Sequence, residues 1–270
     1  MGMDTSSGRR IAHPFSKAAG VAAVTARRSF AVILDGLLPP RCICCQNRIA
    51  DAGRLCAPCW QKMPFLEKPW CYRLGTPFSH DMGEAAWSPK AIADPPEFDR
   101  LRAVALYQGP ASDLVLSLKY AGRRDLAVPM GHWLARAGAE ILSADSLVVP
   151  VPLHWFRLWR RRFNQAADLA RSVAQQSGAS FQPEILRRVR RTRQQVGLSA
   201  KQRHANVRAA FKLAKHREAD VFGRHIVLID DVLTTGSTVS ACTKVLKAAG
   251  AARVDVLAFA HADPSVSRDA

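Results

Sequence analysis

The chain predicts an α/β fold built on a mostly parallel sheet and preceded by a small cysteine-rich module. Three observations carry that prediction. From about Leu101 onward, apolar runs of strand length alternate with amphipathic segments of helical period. Six of the seven cysteines fall between residues 42 and 71. Between these regions, residues 75–97 are dotted with Pro, Gly and Ser and lack periodicity, which sets a boundary near residue 95 at "DPPEF".

The first stretch, "RRIAHPFSKAAGVAAVTARRSFAVILDGLLPPRC", is Arg-rich and mildly amphipathic, so a transit peptide has to be weighed against a basic surface helix. Arg27 and Arg28 interrupt it, Asp35 falls inside its apolar "FAVILDGLL", and no A-x-A-like cleavage site follows. We read residues 1–14 as a disordered tail, 15–95 as an N-terminal helix (15–38) plus the cysteine module, and 96–264 as the sheet domain. No apolar run reaches the roughly 18 residues needed to span a bilayer, and a cytoplasmic location is expected.

Cys42-x-x-Cys45 and Cys56-x-x-Cys59 are separated by ten residues of polar and Gly-containing sequence. Two such knuckles can bring four thiolates tetrahedrally onto one structural Zn2+, and a closed set of four leaves no open position for catalysis. A redox motif of the thioredoxin kind would show a single pair at a helix start. Cys44 lies inside the first knuckle and could replace a neighbour as ligand. Cys71 stands alone, and Cys242 falls in a helix where a buried apolar thiol is expected.

In the second part, "LRAVALYQG", "SLVVPVPL", "RHIVLIDD" and "RVDVLAFAHA" read as strands. "ASDLVLSLKYAG", "DLAVPMGHWLARAGAEIL", "NQAADLARSVAQQSG" and "STVSACTKVLKAAG" read as helices, the last closed by Gly250. Continuous apolar strands separated by helices imply a parallel sheet covered on both faces.

"IVLIDDVLTTGST" is the stretch that points to chemistry. Ligands of open parallel sheets bind beyond the carboxyl ends of the strands, where Asp230 and Asp231 are expected. Adjacent acids repel, so they call for something cationic or hydroxyl-bearing between them: the vicinal diol of a ribose, or a hydrated magnesium ion. Thr234, Thr235, Gly236, Ser237 and Thr238 then lead into a helix, and small residues, hydroxyls and a helix N-terminus together make a phosphate cradle. A diol clamp and a phosphate cradle this close describe a 5-phosphoribosyl group. A Walker B reading fails because no G-x-x-x-x-G-K-[ST] occurs, and a phospho-aspartyl D-x-D fails at Val232.

The formal charge is +17, with a pI near 10.3. From residue 154 to 224 there are 17 Lys and Arg against 4 Asp and Glu. Such a field favours phosphates, pyrophosphate or nucleic acid, although a solvated basic face accounts for many of these residues equally well.

The stretch "VLIDDVLTTGSTVSA" resembles the 5-phosphoribosyl 1-diphosphate (PRPP) signature of type I phosphoribosyltransferases. With "VPVPLHWFRLWRRRFNQAADLA", "RTRQQVGLSAKQRHANVRAAF" and the cysteine ribbon, the chain is similar over residues 30–262 to the ComF-type (competence protein F, GntX-like) family. The resemblance implies a type I phosphoribosyltransferase-like sheet behind a zinc ribbon. It implies that Asp230 and Asp231 hold the ribose hydroxyls of PRPP, and that Thr234, Thr235, Gly236, Ser237 and Thr238 hold its 5-phosphate. Arg160, Arg161, Arg162 and Asn164 would face the pyrophosphate, residues 191–199 would form a closing loop, and Mg2+ would accompany PRPP.

Two departures stand out. Arg162 replaces the glycine of the family's R-G-F-N, and Cys71 is followed three residues later by Leu74 where many relatives carry a third C-x-x-C. A second metal is therefore not expected there. The function implied is phosphoribosyl transfer to a nitrogen acceptor with release of pyrophosphate. The alternatives are a nucleic-acid-handling accessory protein and a PRPP sensor without turnover. Trp155, Phe156, Trp159 and Phe163, near the arginines, fall at spacings that suit a core-facing helix.

Overall fold

The computed structural model describes residues 39–153, 163–190 and 210–262. The expected tail (1–14) and first helix (15–38) lie outside the described residues, as do Trp155, Phe156, Trp159, Arg160, Arg161, Arg162 and the loop 191–199. Two five-residue helices, α1 (Ala57–Gln61) and α2 (Pro89–Ala93), belong to the N-terminal module. Then follow β1 (Leu101–Leu106), α3 (Gly109–Tyr120), a 3-10 turn at Arg124–Leu126, α4 (Ala127–Ala137), β2 (Leu147–Pro150) and α5 (Gln165–Ser177). The chain continues through β3 (Ser180–Phe181), β4 (Leu186–Arg188), β5 (Phe211–Leu213), α6 (Glu218–Val221), β6 (His225–Leu233), α7 (Ser237–Ala248) and β7 (Arg253–His261).

Five strands form a sheet in the order β1-β7-β6-β2-β3, and every pairing is parallel. β6 shows why its sequence is unbroken apolar: Val227 and Ile229 enter one core while Ile226 and Leu228 enter the other, all fully buried. The first core is closed by α3, α4 and α5 through Leu114, Leu118, Met130, Leu134, Leu169 and Val173. A β-carbon at Gly131 would stand 2.2 Å from Ser172 Oγ, so this glycine lets α4 and α5 approach. The second core is closed by α7 and by the small antiparallel β4–β5 pair, through Val239, Cys242, Leu246, Leu186 and Phe211. Cys242 is fully buried there, as its helical position suggested.

Three elements differ from their sequence expectation. The helix expected over 125–142 ends at Ala137 with Gly138 as its C-cap; a β-carbon there would stand 2.8 Å from Leu257 Cδ2, so glycine suits this close approach to the sheet. The strand "SLVVPVPL" spans Leu147–Pro150, with Val151 donating one last bond to Ile229 O. Pro150 is tolerated because alternation turns its nitrogen away from β6, toward the side where β3 pairs with Leu147 and Val148 alone. Finally, β6 runs past the two aspartates to Leu233, so they lie inside a strand rather than after it. β7 continues to pair with β6 as far as Leu233↔His261, whereas the β2 ladder ends at Ile229.

The N-terminal module covers the free edge of β1. Leu66 donates to Val104 O, Leu106 to Pro64 O and Leu101 to Arg73 O, so this edge presents no open ladder.

At the amino end of the sheet, Asp255 is fully buried and its Oδ2 meets His225 Nε2 at 3.0 Å, Arg253 Nε at 2.9 Å and Arg100 Nη2 at 3.4 Å. Ser146 Oγ lies 3.1 Å from His225 Nδ1, which completes a Ser-His-Asp chain of contacts. Ser146 is itself fully buried and engaged by Ser143, so this is a structural network and not a nucleophile. Burial raises the Asp255 pKa, but His225, Arg253 and Arg100 more than reverse it and hold the carboxyl below its usual range. A depressed acid stabilises the fold above its unfolded pKa of about 3.9 and loses that contribution as pH falls through the folded value. Asp255→Ala is expected to lower stability in urea unfolding at neutral pH, because it leaves the partly buried guanidinium of Arg100 and the more exposed one of Arg253 without their carboxylate. Asp255→Asn is expected to remove the acid limb of stability below about pH 4.

Candidate functional site

The sulfur atoms of Cys42, Cys45, Cys56 and Cys59 all lie within 4.8 Å of one another, and none is in a disulfide. Four thiolates around zinc at about 2.3 Å would stand roughly 3.8 Å apart, which this set can adopt with little movement. Cys44 is outside the four. Burial raises the Cys42 thiol, but the N–H groups of Cys56, Cys45 and Cys44 bring it down to about 6. Cys59 is pushed well up by burial and by the neighbouring thiols. Holding all four as thiolates therefore requires a cation, and the donor set suits structural zinc.

The same turn occurs twice in this module. Cys42 N–H donates to Asn47 O at 2.7 Å and Gln46 N–H to Cys42 O at 3.0 Å, while Arg41 bridges Arg48. Cys71 N–H donates to Thr76 O and Gly75 N–H to Cys71 O, both at 2.8 Å, while Trp70 bridges Pro77. Gln46 and Gly75 occupy matching left-handed positions, φ 64° and 61°. Cys42 Sγ accepts from Cys56 N–H at 3.3 Å, and Cys71 Sγ from Ser88 N–H at 3.2 Å. Cys56 and Ser88 each precede a five-residue helix with Pro in its first turn. Leu74, Ser88 and Ala91 thus stand where Cys45, Cys56 and Cys59 stand in the first copy.

The second copy is held by other means. Ser88 Oγ caps Ala91 N–H, and the Arg73 guanidinium donates to Pro96 O and Phe98 O while lying 5.1 Å from the Trp87 ring. Restoring thiols with Leu74→Cys, Ser88→Cys and Ala91→Cys is expected to raise zinc content from one to two per chain by plasma mass spectrometry. Unchanged content would contradict the equivalence of the two turns.

At the other site, alternation along β6 sends the two aspartates to opposite faces. Asp231 is buried, and its Oδ1 lies 2.7 Å from Lys119 Nζ in the last turn of α3. Asp230 accepts from the Asp231 N–H at 2.9 Å. Burial first, then the charge of Asp231, raises the Asp230 pKa to about 7, against smaller opposing effects of Lys119 and Arg188. Burial pushes the Lys119 ammonium down, but Asp231, with Asp230 adding to it, carries it above its ordinary value. Lys119 and Arg188 were not singled out in the sequence, where each is one basic residue among many.

Thr234 and Thr235 are exposed at the turn after β6. Gly236, at φ 72°, opens α7 in the left-handed region that favours glycine, and no side chain caps the helix. Ser237 is buried with its Oγ 2.8 Å from Thr235 Oγ1, and Thr238 follows in the first turn. Asn164 caps α5 by accepting from Ala166 N–H, and its Nδ2 donates to Val151 O at the end of β2, beside Asp230. Phe163 lies under Arg124, whose guanidinium is 5.1 Å from the ring and forms a bidentate pair with Asp168. Asp230, Asp231, Asn164 and residues 234–238 therefore belong to elements that meet at the carboxyl end of the sheet.

Residues 33–89 match the family described as the Double zinc ribbon domain, and residues 164–268 match the Phosphoribosyl transferase domain. The chain is 33% identical over 226 residues to DNA utilization protein YhgH of Escherichia coli (strain K12), covering 81% of this chain and 96% of that protein. It belongs to that family. It is also 36% identical over 192 residues to DNA utilization protein YhgH of Salmonella typhimurium, covering 69% of this chain and 81% of that one. It is 29% identical over 236 residues to Competence protein F of Haemophilus influenzae, covering 82% and 97% respectively. Among the described residues, one group of four cysteines fit to hold a metal is present in the matched ribbon, Cys42, Cys45, Cys56 and Cys59. Among the described residues no helix is long and apolar enough to cross a membrane.

Proposed function

We propose that this chain binds PRPP with Mg2+ at the carboxyl end of its sheet and transfers the 5-phosphoribosyl group to a nitrogen acceptor. The observation that supports this best is the acid pair on β6 beyond the last β2 pairing, followed at once by an uncapped helix that starts from a left-handed glycine. The 5-phosphate would take backbone N–H groups and hydroxyls of Thr234, Thr235, Gly236, Ser237 and Thr238. Asp230 and Asp231 would engage the ribose hydroxyls and stabilise the positive charge that develops at C1. Bound with the diphosphate, Mg2+ would neutralise its charge and make it a better leaving group. The C1–O bond breaks with its electron pair departing on pyrophosphate, the acceptor nitrogen forms the new bond to C1, and its surplus proton goes to solvent.

Arg160, Arg161, Arg162 and Asn164 are assigned to the pyrophosphate side by the resemblance. The reduced thiol cluster suits a reducing compartment such as the cytoplasm. A screen of nitrogenous acceptors for PRPP-dependent pyrophosphate release tests transfer. Release with one acceptor supports it, whereas PRPP binding without release from any would favour the sensor reading.

A second reading, nucleic-acid handling, draws on the names of the relatives and on the charge of +17. DNA affinity that falls steeply with salt and is lost on neutralising Arg160, Arg161 and Arg162 would support it, whereas salt-insensitive or absent binding would contradict it.

A further inference from the structure

Two adjacent carboxylates, one buried and the other partly so, cannot both stay ionised without a counter-charge, and β6 supplies none of its own. The counter-charge comes from a different element. α3 runs from Gly109 to Tyr120, and its last turn carries Lys119 to within 2.7 Å of Asp231 Oδ1, with the two side chains 18% and 12% exposed. A cation in the last turn of a helix is also favoured by the helix dipole. On the opposite face of β6, Asp230 accepts from the Asp231 N–H and feels the charges of Lys119 and of Arg188 on β4. The acids are thus unequal in their surroundings: Asp231 is committed to an ammonium, while Asp230 faces the second core with its α7 and β4 neighbours.

Burying an ion pair is a poor way to gain stability, since a matched apolar pair in the same space serves as well or better. A lysine stem threaded to a strand carboxylate beside a phosphate-binding turn calls for another reason. We infer that Lys119 is a positioning residue of the phosphoribosyl site, an internal cation that fixes Asp231 so that it and Asp230 engage the sugar from set positions. The inference rests on the phosphoribosyl reading above. Through Lys119 the α3 helix becomes part of the site. The ribbon packs on the same helix, because Ile43 and Met63 share a core with Ala111, Leu114 and Val115.

The test separates charge from packing. Methionine at 119 keeps the apolar stem and removes the ammonium, whereas arginine keeps the charge on a stem of similar length. Full-length wild-type, Lys119→Met and Lys119→Arg proteins are titrated with PRPP in Mg2+ by calorimetry, after circular dichroism has established that each is folded. Lys119→Met is expected to weaken PRPP affinity at least tenfold, and Lys119→Arg to restore it to within about threefold of wild type. Equal affinity of the methionine and arginine variants, whether both intact or both lost, would overturn the inference, since packing alone then accounts for the residue. Should Lys119→Met fail to fold, Lys119→Gln carries the same comparison. Absence of PRPP binding by the wild type would instead overturn the phosphoribosyl reading, and this inference with it.

Discussion

Replacing Cys59 by serine is expected to strip the ribbon of its metal and open residues 39–66 to proteases, while leaving the five-stranded sheet folded. The region has little else to hold it. α1 buries no residue, and the apolar anchors of the module are Ile43, Met63 and Leu66 with half-buried Leu55 and Phe65. So small a core needs a staple, and zinc bound to four thiolates supplies an apparent free energy on the order of 10 kcal/mol at neutral pH. Losing one ligand leaves three crowded sulfur groups, of which Cys59's neighbours Cys56 and Cys45 already sit 3.5 Å apart. The sheet should survive because both of its cores are formed mainly by residues after Phe98. Metal analysis and limited proteolysis read the outcome. Zinc retained at one per chain with no new cleavage between residues 45 and 60 would contradict the four-thiolate site.

Asp230→Asn is expected to push stability and binding in opposite directions. The folded Asp230 pKa is raised to about 7, first by burial and then by Asp231, against about 3.9 in an unfolded chain. A raised acid favours the fold while protonated, so its contribution is complete below about pH 4 and is progressively lost as pH rises toward 7. At pH 8 the native state carries a repelled, desolvated carboxylate, and the neutral amide relieves it. The variant should therefore gain on the order of 2 kcal/mol at pH 8 and much less at pH 5, a rise of several degrees in thermal midpoint at the higher pH. Midpoints measured at the two pH values decide the matter, and a variant destabilised equally at both would contradict the account. Stability stored as a penalty at one residue is expected of a ligand site rather than of a core position.

Much of this was legible in the residues. Alternating apolar runs and helical segments led to the parallel sheet because β6 and β7 are buried on both faces, which leaves a signature in every residue of the strand. The cysteine spacing led to the metal cluster because a knuckle is local, and each pair needs only its own turn. What was not legible depends on contacts between distant elements or on backbone alone. Lys119 reaches Asp231 from another helix, and nothing near it in sequence distinguishes it from a surface lysine. The second ribbon turn keeps its hydrogen bonds while losing three thiols, so Cys71 looked solitary. β4 and β5, three residues each, are too short for any period to show. The aspartates were expected at the end of a strand, but β7 holds β6 in register beyond them where β2 does not.

Calorimetric titration of the full-length protein with PRPP in Mg2+, run side by side on wild type and Asp230→Asn, tests the central claim most directly. Saturable binding by the wild type and at least a hundredfold loss in the variant, which remains folded, are expected. No heat of binding with the wild type, or equal affinity in both proteins, would contradict it.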